Sequence, residues 1–369
     1  MTAAGTAAPC PRMATLTLDQ VLSREALRFG EERHDLADIV LVTMLSGTWQ
    51  RLVARVARSL AVRAVRGERL TGEELRRLLT EFRYRHHLIA AADLESWMSR
   101  RSLRLADLEG VLERNWLADR YPDAPISPVA SEQVVAVIWA EARLAGIMEA
   151  GQDTLVAWHA GFDWVAAVEL ASSSRWAPAC DQGRVAETTE LALRDPVGGL
   201  RLLGRSDVFR RVMRLLSLQA GYERFRAHAV TDKAVDARIA QHRLDWTTVE
   251  GWELSFELEG AARETRLQVV CDGKALGEIG ATLGVEPVSR RLEIGSAPSG
   301  ISAVLLAARD GDLVGPWKED GRWRVLQLVS RRDPESAADE ALRSRARDEL
   351  LAEMVERLAA GKAVRDESL

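Results

Sequence analysis

The strongest constraint on this chain is a change of hydrophobic period near Trp246. Upstream, Leu36, Ile39, Val40, Val42, Met44, Leu45, Trp49, Leu52, Val53, Val56, Leu60 and Val62 recur at i, i+3 and i+4. That stripe predicts an amphipathic helix from about Asp35 to Val65, ended by Gly67. Downstream, Trp252-Glu253-Leu254-Ser255-Phe256-Glu257-Leu258 alternates apolar and polar residues. Alternation of that kind is the mark of a half-buried strand. A chain that changes period this way is mixed, so the expected class is α+β: mainly helical modules, one small α/β domain and a C-terminal helix.

The helical part subdivides further. Leu18, Val21, Leu22, Leu27 and Phe29 extend a helical pattern up to Gly30. Thr71-Gly72-Glu73-Glu74 has the form of an N-cap followed by acids in the first turn. The helix it opens carries Leu75, Leu78, Leu79 and Phe82. Shorter helices are predicted around Trp97 and over Leu105–Trp116, before Pro122, Pro125 and Pro128 break the chain. A second helical block begins at Ser131, with a loop over 172–184. A further helix follows the cap at Thr231.

Beyond Trp246 the expected order is strand, helix from Ala261, short helix over Ala275–Leu283, strand at Arg290–Ile294, and helix over Ser299–Arg309. A hairpin then turns around Glu319-Asp320-Gly321-Arg322, and residues 334–361 form a charged amphipathic helix. The predicted divisions are a disordered segment at 1–17, a helical module at 18–124 and a second helical block at 125–230. A linker helix with the α/β domain follows at 231–333, and a C-terminal helix at 334–369.

Chemistry is sparse. There are 6 His and 3 Cys in 369 residues, and no His follows His242. Cys10, Cys180 and Cys271 are odd in number and far apart, which suits neither a disulfide framework nor a zinc site. With no charged n-region ahead of an apolar run, a cytoplasmic location is expected. The formal net charge of −5 argues against nucleic acid or a membrane surface as a partner.

No GxxxxGK[ST], GxGxxG after a strand, HExxH or GxSxG occurs. His86 and His87 are adjacent and point to different helix faces. His159, among Trp158, Phe162 and Trp164, reads as a structural histidine more readily than a pocket residue. No metal, cofactor or catalytic residue is expected. The 11 Trp outnumber Tyr and Phe combined. Most of them suit core packing, and a subset suits an apolar cradle for peptide.

The order over 246–333 resembles a parvulin-type peptidyl-prolyl isomerase domain. Leu254-Ser255-Phe256-Glu257 matches its opening strand, Ala261-Ala262-Arg263-Glu264 its first helix, and Leu276–Gly284 its short helix. Ser302–Gly311, then Asp312-Leu313-Val314-Gly315-Pro316, then Trp323–Val329 with Arg331-Arg332 match the remainder. Thr71–Trp116 and the helix after Val230-Thr231-Asp232 resemble parts of SurA/PpiC-like chaperones. Helix 339–360 resembles the one that returns to their helical module. Ala262-Arg263-Glu264 and Val314-Gly315-Pro316 also resemble a cytosolic subgroup associated with maturation of ribosomally made, modified peptides.

The family places one His on the first strand, another on the last, and a Cys or Asp near them. Those positions fall here at Leu254 or Ser255, at Trp323 or Arg324, and near Arg291, so none matches. The resemblance therefore implies a peptide-binding chaperone or substrate-presenting protein whose parvulin-like domain is non-catalytic. Its client would be an unfolded or precursor peptide. Trp252, Phe256, Leu305, Trp317, Trp323 and Arg291 are the expected peptide contacts. The alternatives are an active isomerase and an accessory scaffold of a peptide-modifying enzyme.

Overall fold

A computed structural model describes residues 18–101, 103–124, 132–172, 181–195, 197–298, 300–334 and 339–366. The expected disordered segment 1–17, Pro125, Pro128 and most of the expected loop at 172–184 lie outside these residues. The protein is mostly helical with small antiparallel sheets. It forms two compact units: one of residues up to Ala227 together with the stretch from Met354, the other spanning His228–Glu353. Among the described residues, no helix is long and apolar enough to cross a membrane.

The first unit begins with α1 (Leu18–Leu22), β1 (Glu25–Phe29), β2 (Glu32–Asp35), α2 (Leu36–Leu45) and α3 (Thr48–Arg66). It continues with α4 (Gly72–Arg85), α5 (Ala91–Arg100), α6 (Leu105–Arg120), α7 (Glu132–Leu144) and α8 (Ile147–Ser172). Then come α9 (Gln182–Arg194), a 3-10 turn at Leu200–Leu203 and α10 (Arg205–His228).

Two expectations change here. The predicted helix over 18–29 stops at Leu22, because Glu25–Phe29 pairs on both edges: with β2, and with a strand near the C-terminus. Tertiary pairing overrides a local pattern that was only weakly helical. The predicted single helix over 35–65 is two helices, broken at Ser46-Gly47, where Gly47 has φ of 71°. A left-handed residue ends a helix, and glycine adopts that conformation without a Cβ penalty.

α2 is the spine of this unit. Leu36 to Met44 are all buried, with Asp38 and Thr43 among them. Asp35 caps it, accepting from Asp38 N at 3.2 Å. α8 crosses α2 at Gly151, where a Cβ would stand only 2.8 Å from Ile39 Cγ2. Trp49 and Trp139 meet edge to face at 5.3 Å, and each indole N–H is satisfied, by Asp195 and by the Val197 carbonyl. α4, α5 and α6 carry a smaller cluster around Phe82, Trp97, Met98 and Leu108.

The second unit runs α11 (Asp232–Gln241), β3 (Thr248–Phe256), α12 (Glu259–Val270), α13 (Leu276–Leu283) and β4 (Val288–Glu293). α14 (Ser302–Ala307), β5 (Leu313–Glu319) and β6 (Arg322–Arg332) follow. Its four strands form one antiparallel sheet in the order β4-β3-β6-β5. Leu254, Phe256 and Val325 pack with Ala262 of α12 and Leu276 of α13 on one face. Val249, Val314, Trp317, Leu326 and Leu328 pack with Ile301 and Leu305 at α14 on the other.

The chain ends in α15 (Glu340–Ala359) and β7 (Ala363–Arg365). β7 pairs antiparallel with β1 and completes the three-stranded sheet β2-β1-β7 of the first unit. Gln152 Nε2 fastens the pairing, donating to the Ala26 carbonyl at 2.8 Å and the Asp366 carbonyl at 3.3 Å.

One buried ion pair joins α6 to α7. Arg114 Nε donates to Glu141 Oε2 at 2.8 Å, with both side chains nearly closed to solvent. Burial pushes the Glu141 carboxyl above its usual range, and the Arg114 charge opposes that shift. Arg114→Met strands this carboxylate and is expected to cost about 3–5 kcal/mol. Pairing it with Glu141→Leu should restore most of the loss. Urea unfolding followed by circular dichroism checks both, and a single-variant loss under about 1 kcal/mol would contradict the assignment.

Candidate functional site

The second unit contains the six residues expected to contact peptide, and the sheet divides them. Side chains along a strand alternate between faces. Phe256 and Trp323 belong to the cluster under α12 and α13. Trp252 lies two residues before Leu254, opposite Gln327, and is 48% exposed. Arg291 is opposite Glu250, with its Nε 3.7 Å from that carboxylate. Leu305 and Trp317 belong to the opposite face, and both are buried. The structure therefore brings Leu305 and Trp317 together and separates them from the other four.

The face carrying Trp317 holds a polar network that sequence reasoning missed. Glu253 is buried and sits between two guanidinium groups, Arg290 at 2.5 Å and Arg324 at 2.6 Å. Glu319 closes the ring, 2.6 Å from Arg290 and 3.1 Å from Arg324. Strand register explains the convergence. Gly251 is opposite Arg290, Ser255 is opposite Arg324, and Arg324 is opposite Trp317.

Burial pulls Arg290 down, but its bonds to Glu319 and Glu253 outweigh this and raise its pKa. The Arg290 guanidinium stands 6.0 Å from the Trp317 ring centre, and the Trp317 indole N–H is buried without a protein acceptor. Of the positions where the resemblance places imidazoles, Leu254 or Ser255 and Trp323 or Arg324, this face carries Ser255 opposite Arg324. The signal available in the sequence was the period itself: Glu253 and Ser255 share a face, and Arg290 can face them only if Arg291 does not.

The first unit has a second centre, built around Asp38. Burial alone would raise this carboxyl. The His34 hydrogen bond and the charges of Arg214 and Arg211 outweigh burial and hold it below the usual range. His34 Nδ1 is 2.9 Å from Asp38 Oδ2, and Arg214 also ion-pairs with Asp38. Arg211 spans Asp38 at 2.9 Å, Asp35 at 2.7 Å and Asp207 at 2.8 Å. These groups border a cavity of about 490 Å³ lined also by Ser23, Glu25, Arg33 and Arg210.

On its other side His34 meets His159, with 2.7 Å between the Nε2 atoms. Glu32 Oε2 lies 3.9 Å from one and 4.0 Å from the other. Among the described residues, these three side chains form the group able to hold a metal ion. His159 also stacks on Phe29 at 4.8 Å. Its structural packing was legible in the sequence, whereas its partner was not: His34 lies 125 residues away, on a short strand between the two stretches read as helix.

Desolvation pushes the His159 imidazole down to about 4, with His34 and Arg214 adding to the shift while Asp163 and Asp38 oppose it. Its contribution to stability is therefore complete above its ordinary value of 6.5 and is lost as pH falls toward about 4. In chelator-treated buffer, the first unit should lose up to about 3 kcal/mol across that window. Asp38 adds its own loss at lower pH, as its depressed carboxyl is protonated. Urea midpoints measured against pH check this, and His159→Phe should flatten the upper window. An unchanged slope in that variant would reject the assignment. No protein-family model matches the chain, and no curated protein matches it.

Proposed function

We propose that the protein is a peptide-binding chaperone or substrate-presenting protein, whose second unit is a parvulin-like module used for holding rather than isomerising. The client is an extended, unfolded or precursor peptide. It lies on the sheet face that carries Trp317, Arg290 and Arg324. Support comes from the element order of the second unit, strand, helix, short helix, strand, short helix and hairpin. That is the order on which the family resemblance rests.

The observation that carries the non-catalytic reading is the pairing of Ser255 with Arg324, locked by Glu253. Rotation about a prolyl bond faces a barrier of about 18–20 kcal/mol. A guanidinium remains charged at all ordinary pH and cannot exchange protons as an imidazole does. It does donate to carbonyl oxygens. A face of fixed donors beside apolar surface suits backbone recognition with little side-chain preference.

Proline-containing peptides titrated into the full-length protein should bind in the tens of micromolar, roughly −6 kcal/mol. Arg290→Gln and Trp317→Phe should each weaken binding several-fold, and circular dichroism confirms that the variants fold. In a protease-coupled assay, the protein should not accelerate Xaa-Pro isomerisation. Absence of binding at these concentrations would refute the chaperone reading. A rate gain removed by either substitution would instead establish an isomerase.

A further inference from the structure

We infer that Glu32, His34 and His159 form a binding site for a divalent first-row transition ion of the zinc class. Two imidazoles and one carboxylate supply three ligands, and further coordination positions stay open on the Glu32 side. The inference concerns the first unit alone and is independent of peptide binding by the second.

Geometry carries it. Two buried imidazoles point their Nε2 atoms at one another, 2.7 Å apart, beneath a carboxylate at 3.9 and 4.0 Å. The three ligand atoms lie within 4.8 Å of one another. Zinc–nitrogen bonds of about 2.0–2.1 Å set two tetrahedral ligands roughly 3.3 Å apart. The histidines would part by about 0.6 Å to admit the ion, and Glu32 would close by a similar amount. Glu32 can make that movement, since its side chain is 55% exposed at the start of β2. The same exposure supplies the route by which an ion enters.

The surroundings fit a ligand role. A metal-bound imidazole commonly donates its other ring N–H to a carboxylate, which fixes tautomer and direction. Asp38 stands in that place, 2.9 Å from His34 Nδ1. Arg214 approaches the same nitrogen at 3.1 Å, but it also ion-pairs with Asp38, the stronger acceptor. His34 is thereby set with Nδ1–H toward Asp38 and the Nε2 lone pair toward His159. His159 is held by its stack on Phe29. Lys362 pairs with the nearby Asp163 at 2.8 Å, so that charge is already engaged. Imidazole and carboxylate together suit zinc, cobalt, nickel, copper or iron, and the lack of thiolate argues against a soft monovalent ion.

Metal-stripped full-length protein titrated with Co2+ tests this through visible d–d absorption, with Zn2+ competing for the same site. One equivalent should bind at micromolar concentration. Glu32→Gln should weaken binding at least tenfold, and His159→Gln should abolish it. The double variant His86→Gln/His87→Gln should leave it unchanged. If His159→Gln fails to fold, the exposed Glu32→Gln still decides. Binding unaffected by Glu32→Gln, or no saturation below about 1 mM, would reduce the pair to a hydrogen bond between the two rings and overturn the assignment.

Discussion

A single buried carboxylate organises much of the first unit. α2 is buried along almost its whole length, and Asp38 rides on it into the core. An uncompensated charge there would be costly to desolvate. The fold answers from three directions: His34 from β2, and Arg211 and Arg214 from α10. Arg211 then draws in Asp35 and Asp207, so the cap of α2 and the first turn of α10 join the same network. The β1–β2 hairpin, the spine helix and α10 are therefore fixed in common. The pairing of His34 with His159 extends that order to α8.

The second unit solves a related problem differently. Glu253 is also buried, but its partners come from neighbouring strands of one sheet. Strand register alone aligns them, and no helix takes part. The result is a rigid charged patch beside the apolar cluster of Val249, Leu326 and Leu305. The sheet thus has α12 and α13 packed over part of one face, where Trp252 stays half-exposed. The other is apolar near α14 and polar beyond it.

Elements with a strong period were legible before the structure. β3, α12, α13, β4 and the β5–β6 hairpin fall where alternation, caps and turn residues place them, within a few residues. β1 and β7 were not, since each is short and owes its state to pairing, β1 with both β2 and β7 and β7 with β1. α9 begins inside a stretch read as loop. The tryptophans illustrate a second limit. Trp252, Trp317 and Trp323 are one residue type on one sheet, yet register sends Trp317 away from Trp323. Composition carries no register. The His34–His159 pair marks a third, because nothing local to either residue encodes a contact across 125 positions.

The pairing of β7 with β1 has a consequence for how the chain is made. The second unit is an insertion between two parts of the first. Synthesis proceeds from the N-terminus, so β1 waits with one edge open until Ala363–Arg365 emerges. An unpaired strand edge is a template for association with other chains. The second unit, contiguous in sequence, completes itself in the interval. The sheet that carries Glu32 and His34 is thus closed by a strand that emerges only after the whole second unit has been made.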